Sequence, residues 1–193
     1  MKKILIRTVI FLIVFITNLS FISCFRDNDI PKADLEFIEF KKSNTKNDRV
    51  DIYKLKFSSS IAISDKVFEK ADFPHLTCLL TNKADFEIKD IDNAEIRLMG
   101  YFKSKSTYED VDSLRNDETL NKIKKFEYEL DVLFYNDTKS DNKYSSKEDI
   151  KKSLSDVSCI PCKLEQRFFM ETYKFYLSNS MCVPAEDILK TIN

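Results

Sequence analysis

Four cysteines carry the spacing in this chain that most suggests chemistry. Two of them form Cys159-Ile-Pro-Cys162, the C-x-x-C pattern of thiol redox sites, where a helix N-terminus lowers the pKa of the first thiol. In those sites the motif follows a strand and opens a helix, whereas here a helical pattern precedes it and a strand-like pattern follows. Because Cys78 and Cys182 make the count even, two disulfides are the preferred prediction, and all three pairings stay open.

The same cysteines allow two other interpretations besides redox chemistry and disulfides. A Cys₃His zinc site has plausible ligand spacing if His75 joins Cys78, Cys159 and Cys162, with Cys182 as a substitute for His75. One histidine is too little to anchor such a site, so we predict no metal and no cofactor. As disulfides, the cysteines would fasten the 159–162 segment to the strand of Cys78 and to a C-terminal hairpin at Cys182, each long loop contributing ~2–4 kcal/mol. Buried free thiols acting as small hydrophobic groups are the last alternative.

The sequence gives little support for other catalytic motifs. The chain has one glycine, Gly100, which excludes a P-loop, a dinucleotide-binding loop and a nucleophile elbow. No Ser-His-Asp or Cys-His arrangement can be built without the lone His75. Carboxylates such as Glu127, Glu129 and Asp131 lie on the polar face of a predicted strand, where solvation explains them. We therefore predict a protein that is not an enzyme.

The first 24 residues have the organisation of an export signal. Lys2, Lys3 and Arg7 precede a stretch from residue 8 to residue 25 that contains no charge, and small residues come just before Cys24. The stretch Leu19-Ser-Phe-Ile-Ser-Cys24 resembles the lipobox of bacterial lipoproteins, with an apolar residue three positions before the cysteine and a small one directly before it. The resemblance implies cleavage after residue 23 and a lipid on Cys24, which would anchor the protein to a bilayer. A plain signal peptide and an uncleaved anchor helix are the alternatives.

Composition limits the partners of the remaining chain. Lys and Arg number 31 against 32 Asp and Glu, a net charge of −1. Without a basic excess to neutralise phosphates, nucleic acid is not a predicted partner. Residues 24–33 are short and polar and are predicted to be a tether, and residues 34–193 suffice for a single β-rich globular domain.

Alternating patterns predict most of the elements that hold these residues. Period-two alternation of apolar residues indicates half-buried antiparallel strands. The strands are predicted at residues 35–41, 49–64, 77–80, 86–88, 94–103, 125–136 and 163–177. Helices are predicted at residues 64–71, 106–124, from Ser146 onward and at 184–192. The predicted fold class is α+β, mainly antiparallel β-sheet and sandwich-like, with two to four short helices.

The loose lipobox, the short polar tether, the Lys/Asn/Ile-rich domain and the scarcity of glycine together resemble the surface lipoproteins of Borrelia-type spirochaetes. That resemblance implies an outer-membrane or cell-surface location and binding of a host or vector protein. A periplasmic immunity or accessory lipoprotein that binds a bacterial protein is the second hypothesis, favoured if one face is acidic. A thiol redox or zinc protein using Cys159 and Cys162 is the third. Tyrosines such as Tyr101, Tyr108 or Tyr144 are candidate anchors for a protein partner, and packing in the core or at its rim is the preferred interpretation of each.

Overall fold

The computed structural model describes residues 26–45, 47, 49–63, 74–102, 108–109, 125–137, 144–167 and 173–193. The leader with Cys24, the helix predicted at residues 64–71 and most of the helix predicted at 106–124 lie outside these residues. The strands are β1 (Leu35–Lys42), β2 (Tyr53–Ser59), β3 (His75–Leu79), β4 (Ile96–Tyr101), β5 (Tyr108–Glu109), β6 (Phe126–Asn136), β7 (Cys159–Gln166), β8 (Tyr176–Leu177) and β9 (Met181–Pro184). The helices are α1 (Ile88–Asp92), α2 (Lys147–Leu154) and α3 (Ala185–Ile192). Within the described residues, no helix is long and apolar enough to cross a membrane.

The nine strands of the described residues belong to one antiparallel sheet. Its main path runs β1-β2-β6-β4-β3-β7-β8, with β5 paired to β6 and β9 paired to β7. The sheet curls into a half-barrel, which brings β1 close to β9. The predicted class, mainly antiparallel α+β, is thus confirmed, and the strands form one curled sheet rather than two stacked ones.

The concave side of the sheet holds the main core. Period-two alternation turns Leu55 and Phe57 of β2 and Leu130 and Val132 of β6 inward, where each is almost fully buried. Helix α3 closes this core with Ala185, Ile188 and Ile192, all at most 1% exposed, and α2 adds Ile150 and Leu154. The amphipathic patterns predicted for both helices are confirmed, and Ser146 caps α2 by accepting a hydrogen bond from the backbone N–H of Asp149 at 3.2 Å.

The single glycine lies where two strands approach closely. A Cβ on Gly100 of β4 would lie 2.8 Å from Cγ1 of Val132 and 3.3 Å from Cδ1 of Leu130, both on the facing strand β6. The 2.8 Å contact would require Val132 to move, and the 3.3 Å contact would be tight. The lack of a side chain is therefore a packing requirement here.

Three predicted elements differ in the structure. Residues 86–88 precede and open helix α1 instead of forming a strand, and Phe86 and Ile91 pack with Leu79 in a second, smaller core on the convex side of the sheet. Tyr108 and Glu109, predicted within a helix, form strand β5. The strand predicted to begin at Lys163 begins at Cys159. The short apolar stretch 86–88 fits either a strand or a segment that packs on top of a sheet, and its pattern alone does not distinguish the two. The surface on which it packs makes the difference.

The described part of the predicted tether lies against the sheet. Ala33 is fully buried, and Ile30 packs on the main core. An unattached polar segment was expected because Pro31 and several charges lie there. The contacts that fix it come from residues about 145 positions away, which no local pattern reveals.

Candidate functional site

Strand β7 places the four domain cysteines in two pairs at bonding distance. Cys162 is the register partner of Cys78 on β3, and their sulfurs are 1.99 Å apart. Cys159 and Cys182 of β9 are the other pair, with sulfurs 2.00 Å apart. The disulfide prediction is confirmed in the arrangement that fastens the 159–162 segment both to the strand of Cys78 and to the C-terminal hairpin.

The strand conformation of the C-x-x-C segment separates its two thiols. Residues three apart on a strand point to opposite faces. Cys162 is fully buried in the main core, whereas Cys159 is partly exposed and its partner Cys182 is exposed. The two side chains therefore cannot share a metal ion or bond to each other, an arrangement that does not fit the redox and zinc interpretations. Among the described residues, no three His, Cys, Asp or Glu side chains are placed to hold a metal ion.

The predicted carboxylate face belongs to a lattice of cross-strand ion pairs. Glu127 of β6 pairs with Lys56 of β2 at 2.7 Å, and Glu129 pairs with Lys54 and, at 3.2 Å, with Lys41. Lys54 and Lys41 hold the pKa of Glu129 below its usual range. Both glutamates thus have basic partners on the convex side of the sheet, and the third predicted acid, Asp131, accepts a hydrogen bond from the hydroxyl of Ser43 at 3.4 Å. The face has the balance of a solvent-facing surface.

The convex side of β3, β4 and β6 gathers aromatic side chains. His75 and Tyr101 are register partners on β3 and β4, and their ring centroids are 4.6 Å apart. Tyr135 of β6 packs against Tyr144 with centroids 5.4 Å apart. Tyr101 is 44% exposed, and the other three rings are half-buried. We call these four residues the tyrosine face. The side chain of Tyr108, the third predicted anchor, lies outside the described residues.

The pKa of Tyr135 is affected by the other two tyrosines of the tyrosine face. Burial raises the pKa of Tyr135, and the neighbouring phenols of Tyr101 and Tyr144 raise it further. Burial therefore favours the neutral hydroxyl of Tyr135, which is the hydrogen-bonding tip of an otherwise apolar ring. Rings of this kind combine apolar area with a polar handle and few rotatable bonds, which suits contact with another protein.

A buried carboxyl borders the tyrosine face and was not anticipated from the sequence. Glu165 of β7 is the register partner of His75 on β3 and is only 3% exposed. Burial raises its pKa, opposed by the nearby charges of Arg167 and Arg97. Among the described residues its Oε2 has no hydrogen-bond partner, while Oε1 lies 3.9 Å from Nε of Arg167. The strand pattern predicted for residues 163–177 carries no signal for this burial, which involves the neighbouring residues Arg167 and Asp92 of the α1 region.

The buried Lys163 fastens this covering region to the sheet. Its Nζ donates to the carbonyl of Phe86 at 2.9 Å and pairs with Asp85 at 2.6 Å. The Lys163 ammonium also lies 5.2 Å from the centre of the Phe86 ring. Arg167 adds an ion pair to Asp92 of α1 at 2.8 Å. Lys163 and Arg167 therefore hold the α1 region against the sheet as a structural cover.

Comparisons of the chain with protein-family models, with curated proteins and with solved structures give no significant match. Its function must therefore be argued from its own residues.

Proposed function

We propose that this chain is an exported, lipid-anchored protein of the bacterial envelope whose disulfide-linked β domain binds a protein partner. The observation that carries the proposal is the division of the five cysteines. Four of them pair within the domain, and the fifth, Cys24, follows the small residues that end an export signal. Disulfides persist in oxidising compartments outside the cytoplasm, which supports export.

The anchor is tested by metabolic labelling with an alkyne fatty acid. Wild-type protein should take up the label and sediment with membranes, and the Cys24→Ala variant should do neither. Ser20→Ala is the matched control, since it changes a small residue of the same stretch without removing the acceptor thiol, and it should be labelled. Equal labelling of wild type and Cys24→Ala would refute lipid attachment at this residue.

The tyrosine face supports the binding role. It is an aromatic surface on the convex side of a sheet whose concave side is filled by the core, and Tyr101 is 44% exposed there. Contact residues of this type often carry most of the binding energy in an interface, and truncating one costs ~2 kcal/mol or more. Tyr101, with the largest exposed fraction of the four, is the residue expected to matter most.

This role is tested by capture with residues 25–193, comparing wild type with Tyr101→Ala by quantitative mass spectrometry. Ile38→Ala is the control, because Ile38 is similarly exposed, at 42%, but lies on β1. A true partner should be retained by Ile38→Ala and reduced at least tenfold by Tyr101→Ala, the factor that ~1.4 kcal/mol produces. Partners retained equally by both variants would exclude the tyrosine face.

The location of this protein distinguishes a host partner from a partner in the bacterial envelope. Protease treatment of whole cells should degrade a surface protein and spare a periplasmic one. The immunity hypothesis predicts an acidic face, whereas Glu36, Glu127 and Glu129 on the described convex surface are each paired with a lysine. We therefore favour the surface role, with the periplasmic accessory role as the alternative outcome of that experiment.

A further inference from the structure

The chain that follows Cys24 is bound to the domain almost at once. Arg26 forms a parallel bridge with Tyr173, and its carbonyl accepts a hydrogen bond from the backbone N–H of Lys174 at 2.9 Å. Nδ2 of Asn28 donates to the carbonyl of Lys174 at 3.1 Å. Arg26 and Asn28 are therefore held by the same short stretch before β8.

The fixation continues toward β1. The hydroxyl of Tyr176 accepts from the backbone N–H of Ala33 at 2.9 Å and donates to the carbonyl of Pro31 at 3.1 Å. Tyr176 is itself 2% exposed and Ala33 is fully buried. Since this end of the segment is part of the core, residues 26–33 move with the domain.

Chain length then limits how far the domain can stand from an anchor. A free tether of ten residues, 24–33, would reach ~33–36 Å, whereas the two residues from Cys24 to Arg26 span at most ~7 Å. We infer that the domain lies directly on the bilayer, with the face formed by Arg26, Lys174 and Phe175 turned toward the lipid. This inference rests on the proposed acylation of Cys24.

The chemistry of this face suits a membrane–water interface. Phe175 is 47% exposed, the largest value among the described large apolar side chains, and the Arg167 guanidinium lies 5.8 Å from its ring centre. Aromatic rings flanked by Lys and Arg are typical of that interface, where the ring enters the headgroup region and the cation stays in water. Lys174 is paired with Asp27 at 3.4 Å, which offsets its charge. We therefore expect the apolar contact of Phe175 to contribute more to membrane binding than the charge of Lys174 does.

The absence of tryptophan from the chain gives a direct test. The lipidated protein carrying Phe175→Trp is reconstituted in phosphatidylcholine vesicles whose acyl chains are brominated near the headgroup. Its emission should fall about twofold relative to unbrominated vesicles, as expected for a side chain ~5–10 Å into the interface. Ile38→Trp is the control, since β1 leads away from the bound segment and Ile38 lies ~16 Å beyond Ala33. Quenching at position 175 no greater than at position 38 would overturn the inference.

Two further measurements separate the possible failures. The intact mass of the same sample shows whether acyl chains are present. Their absence refutes the proposed anchor and this inference with it, whereas their presence without quenching at position 175 refutes the orientation alone. Inserting ten Gly/Ser residues after Phe25, with an r.m.s. span of ~17 Å, should abolish the quenching. Quenching that survives the insertion would contradict the argument from tether length.

Discussion

The two disulfides should differ in their contribution to stability, and the difference follows from the loops they close. The bond between Cys78 and Cys162 spans 84 residues, and the bond between Cys159 and Cys182 spans 23. Loop-closure entropy of the unfolded chain gives ~4.6 kcal/mol for the first bond and ~3.4 kcal/mol for the second. Neither loop is shortened by the other bond, because the two overlap only in residues 159–162, so the two contributions can be measured separately.

Each disulfide is removed by a double substitution. One variant carries Cys78→Ala and Cys162→Ala, and the other carries Cys159→Ala and Cys182→Ala. Urea unfolding at pH 7 should show that losing the first bond costs more by ~1.2 kcal/mol. Packing adds to this difference, since Cys78 and Cys162 are fully buried and their truncation also leaves a small void, whereas Cys182 is exposed. With a slope near 2 kcal/mol/M, the midpoint should fall by ~2.3 M for the first pair and by ~1.7 M for the second.

Equal costs for the two pairs, or a larger cost for the shorter loop, would refute this reasoning. A change in the urea slope must be examined first, because a more expanded unfolded state alters the slope as well as the midpoint. The reduced wild-type protein is the control and should be at least as unstable as either variant.

Three further substitutions test the packing and the buried charges. Gly100→Ala should cost ~1–3 kcal/mol in thermal unfolding, because its Cβ would meet Val132 at 2.8 Å, and adding Val132→Ala should restore part of that loss. If the double variant is simply additive, the contact is not the cause. Burial raises the pKa of Glu165, so the stability linked to its neutral form is complete below its unfolded pKa and is lost as pH rises through the folded value. Glu165→Gln should therefore be more stable than wild type by ~1 kcal/mol at pH 7 and equal to it below pH ~4, and a constant difference across pH would contradict this. Lys163→Met leaves the carbonyl of Phe86 without its donor, so amide exchange in residues 81–95 should accelerate at a cost of ~1–3 kcal/mol, and unchanged exchange there would show that the cover is held by apolar packing alone.

The elements with strong local sequence patterns were predicted correctly. The alternation of β6 turns Tyr128, Leu130, Val132 and Phe134 inward, as predicted, because a half-buried strand needs one apolar face. The helix predicted from Ser146 begins there because its hydroxyl satisfies a free backbone N–H. Such signals are readable because each is satisfied within a few residues of its own position.

Elements whose structure depends on weak patterns or on residues remote in sequence were not predicted. A strand was predicted at residues 86–88, which precede and open helix α1, because so short an apolar stretch has no period of its own. Leu79 and Lys163 supply the surface that this segment covers. Arg26 and Ala33 looked like a free tether because the residues that hold them, Tyr173 and Tyr176, are remote in sequence. Glu165 gave no sign of burial, since a strand pattern does not show what covers its polar face.

The sequence by itself determined the antiparallel, strand-rich class, the even set of domain cysteines and the predicted export and lipid signal. These depend on residue type and short spacing, which the chain carries in any conformation. Only the tertiary structure decided which cysteines meet, because pairing depends on strand order and on the opposite faces of β7. It also brought Tyr101 beside His75 and bound the residues after Cys24 to the domain, since contacts across neighbouring strands and with distant residues arise only when the sheet curls closed.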